Sequence, residues 1–135
     1  DKKILLRVFS GELLALKGPI PSPNEVNAAT LELRKGGRVS IPLPAHHNAF
    51  VYLLDGEVTV EGFGLVERLN AVVFEMDGDG ITLEARQDTR VLLVSGEPLN
   101  EKVVSHGPFV MNTKTQILEA MRDYQMGRMG VLIEE

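Results

Sequence analysis

The sequence predicts an all-β barrel or sandwich that ends in a single α-helix. Three observations carry that expectation. Nine short runs rich in Val, Ile, Leu and Phe occupy residues 3–94. Turn residues separate them: Gly36-Gly37, Asp55-Gly56, Asp77-Gly78-Asp79-Gly80 and Ser95-Gly96. After residue 112 the apolar spacing becomes that of a helix.

The elements follow in order. Lys3–Phe9 and Glu12–Leu16 read as the first two strands. Gly18–Asn24 carries three prolines and reads as an irregular connection. Ala28–Leu33, Val39–Leu43, Ala49–Leu54 and Glu57–Val60 read as four more strands. Asp55-Gly56 supplies the positive φ of a tight turn, so a hairpin is expected there. Ala71–Met76, Ile81–Ala85 and Val91–Val94 complete the set. Thr113 with Gln116 three residues on forms a capping box. Ile117, Leu118, Met121 and Tyr124 then recur at helical spacing, and Gly127 suits a C-terminal stop. A helix over about Lys114–Met126 is therefore expected, with residues 1–112 as the barrel and residues 113–135 as helix and tail, packed on the barrel or on a partner domain.

Composition narrows the function classes. A chain of 135 residues matches one domain at roughly 100–200 residues per domain. Its 14 basic and 19 acidic residues give a net charge of −5, and no basic patch stands out. Direct nucleic-acid binding is disfavoured, because phosphate contacts need clustered positive charge. The longest apolar run, Ala49–Leu54, is far short of the roughly 20 residues of a membrane span. No signal-peptide pattern is visible at the start. The absence of cysteine excludes disulfides and thiolate sites and suits a reducing compartment. A cytoplasmic location is expected, or a nuclear one in a eukaryotic cell. The start at Asp1, without methionine and almost inside a strand, reads as a cut through a longer polypeptide.

Two strands are apolar on both faces. Alternation puts Ala49, Val51 and Leu53 on one side and Phe50, Tyr52 and Leu54 on the other, and Ala71–Phe74 behaves likewise. An antiparallel sheet with one wet face should alternate apolar with polar. Either the chain's own N-terminal segment and helix cover the outer face, or a second domain or subunit does.

Candidate chemistry is sparse. The metal motif of small β-barrels places two histidines one residue apart, then a glutamate, then a glycine, because residues i and i+2 share a face. Here His46 and His47 are adjacent and would point to opposite faces. Counting back from Gly56 puts the glutamate position at Ala49, which has no ligand atom. The same parity turns Leu43, Ala45 and His47 inward. One inward histidine is too few for a metal that needs three or four ligands. His106, in Ser105-His106-Gly107-Pro108, reads as a loop histidine bonded to a backbone group. His47 and His106 are thus the only metal candidates, and weak ones. Glu75, Asp77 and Asp79 fail calcium-loop spacing and read as a solvated turn. No serine or threonine sits in a nucleophile elbow, and no glycine-rich phosphate loop precedes the helix. No catalytic or cofactor-binding residue is assigned.

Residues 95–124 carry a resemblance. Ser95-Gly96-Glu97-Pro98-Leu99-Asn100-Glu101, then His106-Gly107-Pro108-Phe109-Val110-Met111-Asn112-Thr113, then a helix through Asp123-Tyr124, resembles the C-terminal domain of the pirin family. Pro42-Leu43-Pro44, His47-Asn48-Ala49-Phe50-Val51-Tyr52 and Asp55-Gly56-Glu57 look like that family's second cupin segment, and the likeness extends over essentially the whole chain.

The resemblance implies a cupin-type double-stranded β-helix, or jelly roll, with one C-terminal α-helix. It implies a parent bicupin whose N-terminal barrel holds iron and whose C-terminal barrel ordinarily lacks the ligands. Some members of the family oxidise quercetin with dioxygen, and others act as iron-dependent transcriptional co-regulators. This chain is therefore expected to be a metal-free module beside an iron-bearing N-terminal cupin, with an empty, largely apolar interior near Ala49 and Val51. Its expected partner is that N-terminal domain, or a second copy through the exposed apolar face. A protein-interaction or co-regulator module is the alternative. A single-domain iron oxygenase using His47, His106 and a carboxylate is a third reading.

Overall fold

The alternation of apolar and polar residues sets strand positions, and the structure, a computed structural model, describes residues 3–133. Asp1 and Lys2, with the abrupt start, lie outside the described residues, as do Glu134 and Glu135 at the end of the tail. Among the described residues no helix is long and apolar enough to cross a membrane.

Residues 1–98 form one unit built on two antiparallel sheets. The first has the strand order β1 (Ile4–Ser10), β4 (Val26–Leu33), β11 (Thr89–Gly96), β6 (Asn48–Asp55), β9 (Ala71–Phe74). The second has the order β5 (Arg38–Pro42), β10 (Gly80–Ala85), β7 (Glu57–Val60), β8 (Gly64–Glu67). The chain changes sheet between β4 and β5 and again between β6 and β7, as a jelly roll requires. A small hairpin, β2 (Glu12–Leu13) with β3 (Leu16–Lys17), precedes the proline-rich segment.

Every second residue points into the space between the sheets. Ala29, Leu31 and Leu33 of β4, Val51 and Leu53 of β6 and Val91 and Leu93 of β11 meet Ile41, Val58, Val60 and Leu83 of the second sheet. All are buried, and burying each such side chain stabilises by about 1.5–3 kcal/mol for the larger ones. The interior near Ala49 and Val51 is apolar as expected, but it is filled by these side chains rather than empty.

Residues 99–135 form a second unit. Here β12 (Val104–His106) pairs with β13 (Phe109–Met111), and α1 (Lys114–Gln125) packs on that hairpin. Thr113 caps the helix through the Gln116 N–H at 3.2 Å, and the Gln116 side-chain oxygen accepts from the Thr113 N–H at 3.0 Å. Gly127, at φ 70°, ends it as expected. Ile117 and Ala120 are buried, whereas Leu118 and Tyr124 are exposed, so only part of the expected stripe is covered. The hairpin residues, drawn with the barrel from sequence, cluster with the helix.

Three sequence expectations change. Asp55-Gly56 is not a hairpin turn: β6 and β7 lie in different sheets, and the dipeptide is the corner between them. Gly56 does adopt a positive φ of 82° there, against the Asp88 carbonyl and Thr89. Glu12–Leu16 is two strands and a turn, because Leu14 and Ala15 take φ values of 49° and 63°. Ser105–Pro108 is a hairpin tip with His106 on a strand.

Candidate functional site

At one end of the barrel the apolar interior gives way to a polar group on three neighbouring strands. Asn27 is the second residue of β4, Ser95 lies near the end of β11, and His47 immediately precedes β6; all three are buried. Register brings them together, since Ser95 pairs with Asn27 on one side and Ala49 on the other. Ser95 Oγ accepts from Asn27 Nδ2 at 3.3 Å and is hydrogen-bonded to His47 Nδ1 at 3.0 Å. Asn27 Oδ1 accepts from the Glu12 N–H at 2.9 Å, anchoring the β2–β3 hairpin.

The parity argument for the histidines fails, because residues 44–47 form a turn. Pro44 starts it, and the His47 N–H donates to the Pro44 carbonyl at 3.0 Å. His47 turns inward as expected, Ala45 does not, and the His46 ring lies edge-on to His47 with centroids 4.8 Å apart. Both rings face Glu25, the residue before β4. His46 Nε2 is 3.3 Å from Glu25 Oε2, and His47 Nε2 is 3.2 Å from Glu25 Oε1. The second contact lacks hydrogen-bond alignment, so among the described residues the buried His47 Nε2 has no aligned hydrogen-bond partner. The hydrogen bond with His46 is the main influence holding the Glu25 carboxyl below its ordinary value, opposed by desolvation and helped by the charge of both rings and, least, by the close contact with His47.

One donor atom from each of Glu25, His46 and His47 lies within 4.8 Å of the others. Sequence reasoning missed Glu25 and dismissed His46. Glu25 sits 21 residues before His46, at the end of a proline-rich loop, and no spacing rule links the two.

The remaining candidates are separate. His106 is exposed and makes none of the backbone hydrogen bonds expected of it among the described residues. It borders an apolar cleft with Val104, Ile117, Leu118 and Met121. Glu75, Asp77 and Asp79 are all exposed, in a turn. At the interior position where the barrel motif would need a glutamate stands Ala49, flanked inward by Val51. Neither of those two residues offers a donor atom.

The two sheets differ on their outer faces. On the second, Ser40 and Thr82 share a hydrogen bond at 2.8 Å, Arg86 donates to Thr59 at 2.8 Å, and Arg38 lies 3.4 Å from both Glu84 and Glu61. That face is built for water. On the first, cross-strand pairing aligns Val73, Phe50, Val94 and Ala28 in one row, with Ala71, Tyr52 and Leu92 in the next. Val73 is 78% exposed, Phe50 36% and Leu54 40%. β1 extends this sheet at its edge and does not cover the face.

Comparison with known proteins matches the geometry. The profile of the pirin C-terminal cupin domain covers residues 28–130. Pirin from Rattus norvegicus is 33% identical over 94% of the chain and 45% of its own length. A pirin-like protein from Solanum lycopersicum is 30% identical over 94% of the chain and 45% of its own length. A crystal structure of quercetin 2,3-dioxygenase from Acinetobacter baumannii superposes with a TM-score of 0.84 at 34% identity, over 95% of this chain and 44% of that one. The chain thus spans somewhat under half the length of these relatives.

Proposed function

The chain belongs to the pirin family, as its C-terminal cupin domain, and from that premise we propose that it is a non-catalytic second barrel, docked through its apolar sheet face on an iron-bearing cupin barrel. The observation that carries this reading is the contrast between the two outer faces. One is laced with ion pairs and hydroxyl bonds; the other presents Val73, Phe50, Val94, Tyr52 and Leu92 in adjoining rows. A sheet with a wet face alternates apolar and polar residues; here β9, β6 and β11 carry the apolar rows, with Thr30, Arg7, Glu32 and Arg90 toward one side and Asn48 at the far end. An apolar patch of this kind marks an interaction surface.

The occupant is a second cupin barrel, because relatives of the same family carry a further stretch longer than this chain. The assembled protein is then an oxygenase of the kind named for the Acinetobacter relative. Its iron chemistry resides in the other barrel, since Ala49 and Val51, at the interior positions of the barrel motif, carry no donor atom here. The chain's own contribution is to cover one wall of the interdomain crevice, a common place for small ligands.

The test is a titration of the chain with the separately produced N-terminal barrel of a pirin relative, followed by calorimetry. Binding is expected, and Phe50→Asp should weaken it at least about a hundredfold, because an unpaired carboxylate is then buried. Equal binding by the folded Phe50→Asp variant would overturn the docking face.

A further inference from the structure

Docking leaves the three donors at the barrel rim without a role. We propose that Glu25, His46 and His47 bind one divalent transition-metal ion, with zinc(II) the best match. This goes beyond the docking reading and departs from the expectation that the chain holds no metal.

Distance is the first argument. Four-coordinate zinc with ligands at about 2.0–2.1 Å holds its donor atoms about 3.3–3.4 Å apart. Glu25 Oε2 lies 3.3 Å from His46 Nε2 and Glu25 Oε1 lies 3.2 Å from His47 Nε2, so each histidine already stands at that spacing from one oxygen of the carboxylate. All three donors fall within 4.8 Å of one another, and His46 and Glu25 are exposed enough to close the remaining gap by small rotations.

The second argument is the His47 ring. Its side chain is wholly buried, and among the described residues Nε2 meets Glu25 Oε1 at 3.2 Å without hydrogen-bond alignment. Leaving such a group unsatisfied costs about 1–3 kcal/mol. An N–H at Nε2 finds no aligned acceptor, and a lone pair there faces a carboxylate oxygen at 3.2 Å. A cation between the two resolves both problems.

The third argument is support behind the ligand. Ligating histidines characteristically bond through the other ring nitrogen, which fixes tautomer and orientation. His47 Nδ1 has that bond, to Ser95 Oγ at 3.0 Å, and Asn27 holds Ser95 in turn. Two imidazoles and one carboxylate suit zinc and leave a position for water. Glu25 also lines a groove of about 540 Å³ with Ser10, Ile20, Asn27 and Pro44, so the ion stands at its edge.

The test uses the tag-free chain near neutral pH, with zinc(II) in competition against a chromophoric chelator and cobalt(II) as a spectroscopic probe. One equivalent of zinc is expected, with a strong tetrahedral cobalt spectrum. His46→Ala and Glu25→Gln should each weaken binding at least about tenfold, and His106→Ala should not. Histidine nitrogen NMR of the unmodified chain should show zinc shifting His46 and His47 Nε2 and leaving His106 unchanged. Failure to bind one equivalent, affinity unmoved by His46→Ala and Glu25→Gln, or zinc shifts confined to His106 would overturn the site. None of these results depends on whether the chain docks another barrel.

Discussion

The imidazole of His47 and the hydroxyl of Ser95 are hydrogen-bonded at 3.0 Å inside the end of the barrel, 4% and 1% exposed. The bond ties the turn before β6 to β11, the central strand of the first sheet, and it places His47 Nε2 against Glu25. Ser95→Ala removes the hydroxyl that accepts from Asn27 and is hydrogen-bonded to His47. The variant should lose about 1–3 kcal/mol of stability in chemical denaturation, since both partners stay buried. Unchanged stability would mean that the bond does not anchor the turn.

A second connection between loops predicts a pH effect. Asp88 accepts from the Lys35 N–H at 2.9 Å and from Arg34 Nη1 at 2.6 Å. The backbone bond first, and the guanidinium second, hold its carboxyl below the ordinary 3.8. A depressed folded pKa contributes stability above the unfolded value, and that contribution is lost as pH falls through the folded one. Carbon NMR should therefore show Asp88 titrating below 3.8. The stability gap between the native chain and Asp88→Asn should close as acid is added below that point.

The β2–β3 turn is built from the wrong residues for its backbone. Leu14 and Ala15 sit at φ 49° and 63°, where non-glycine residues pay about 1–2 kcal/mol each. A two-residue hairpin of this kind prefers Asn-Gly. Replacing Leu14-Ala15 by Asn-Gly should raise stability by about 1–2 kcal/mol in thermal or urea unfolding, and a loss would contradict the assigned turn.

Gly56 offers the opposite case. A Cβ there would lie 2.4 Å from both the Asp88 carbonyl and Thr89 Oγ1, at a φ of 82°. Thr89 Oγ1 also donates to the Glu57 carbonyl at 2.9 Å, so the corner cannot easily yield. Gly56→Ala should cost about 2–4 kcal/mol, measured by denaturant unfolding.

Most of the barrel was legible where alternation is strict. β4 and β10 have one continuous buried face each, and their sequences show it; β6, apolar on both faces, was legible as a strand but not for which face is buried. Thr113 and Gln116 announced the helix for the same local reason. The losses came where tertiary contacts override local pattern. Asp55-Gly56 has hairpin chemistry, but β7 pairs with β10 and β8 instead. Leu14-Ala15 carries no turn residue at all, and β8 is only four residues long. The rim cluster escaped because Pro44 replaces strand parity with a turn, and because Glu25 reaches it from a distant loop.

The central claim is that the Val73–Phe50–Val94 face is an interface, and sedimentation velocity of the chain alone tests it most directly. With no other barrel present, the native chain should self-associate as concentration rises, and the folded Phe50→Asp variant should stay monomeric. A native chain that remains monomeric throughout, or a variant that associates equally well, would contradict the claim.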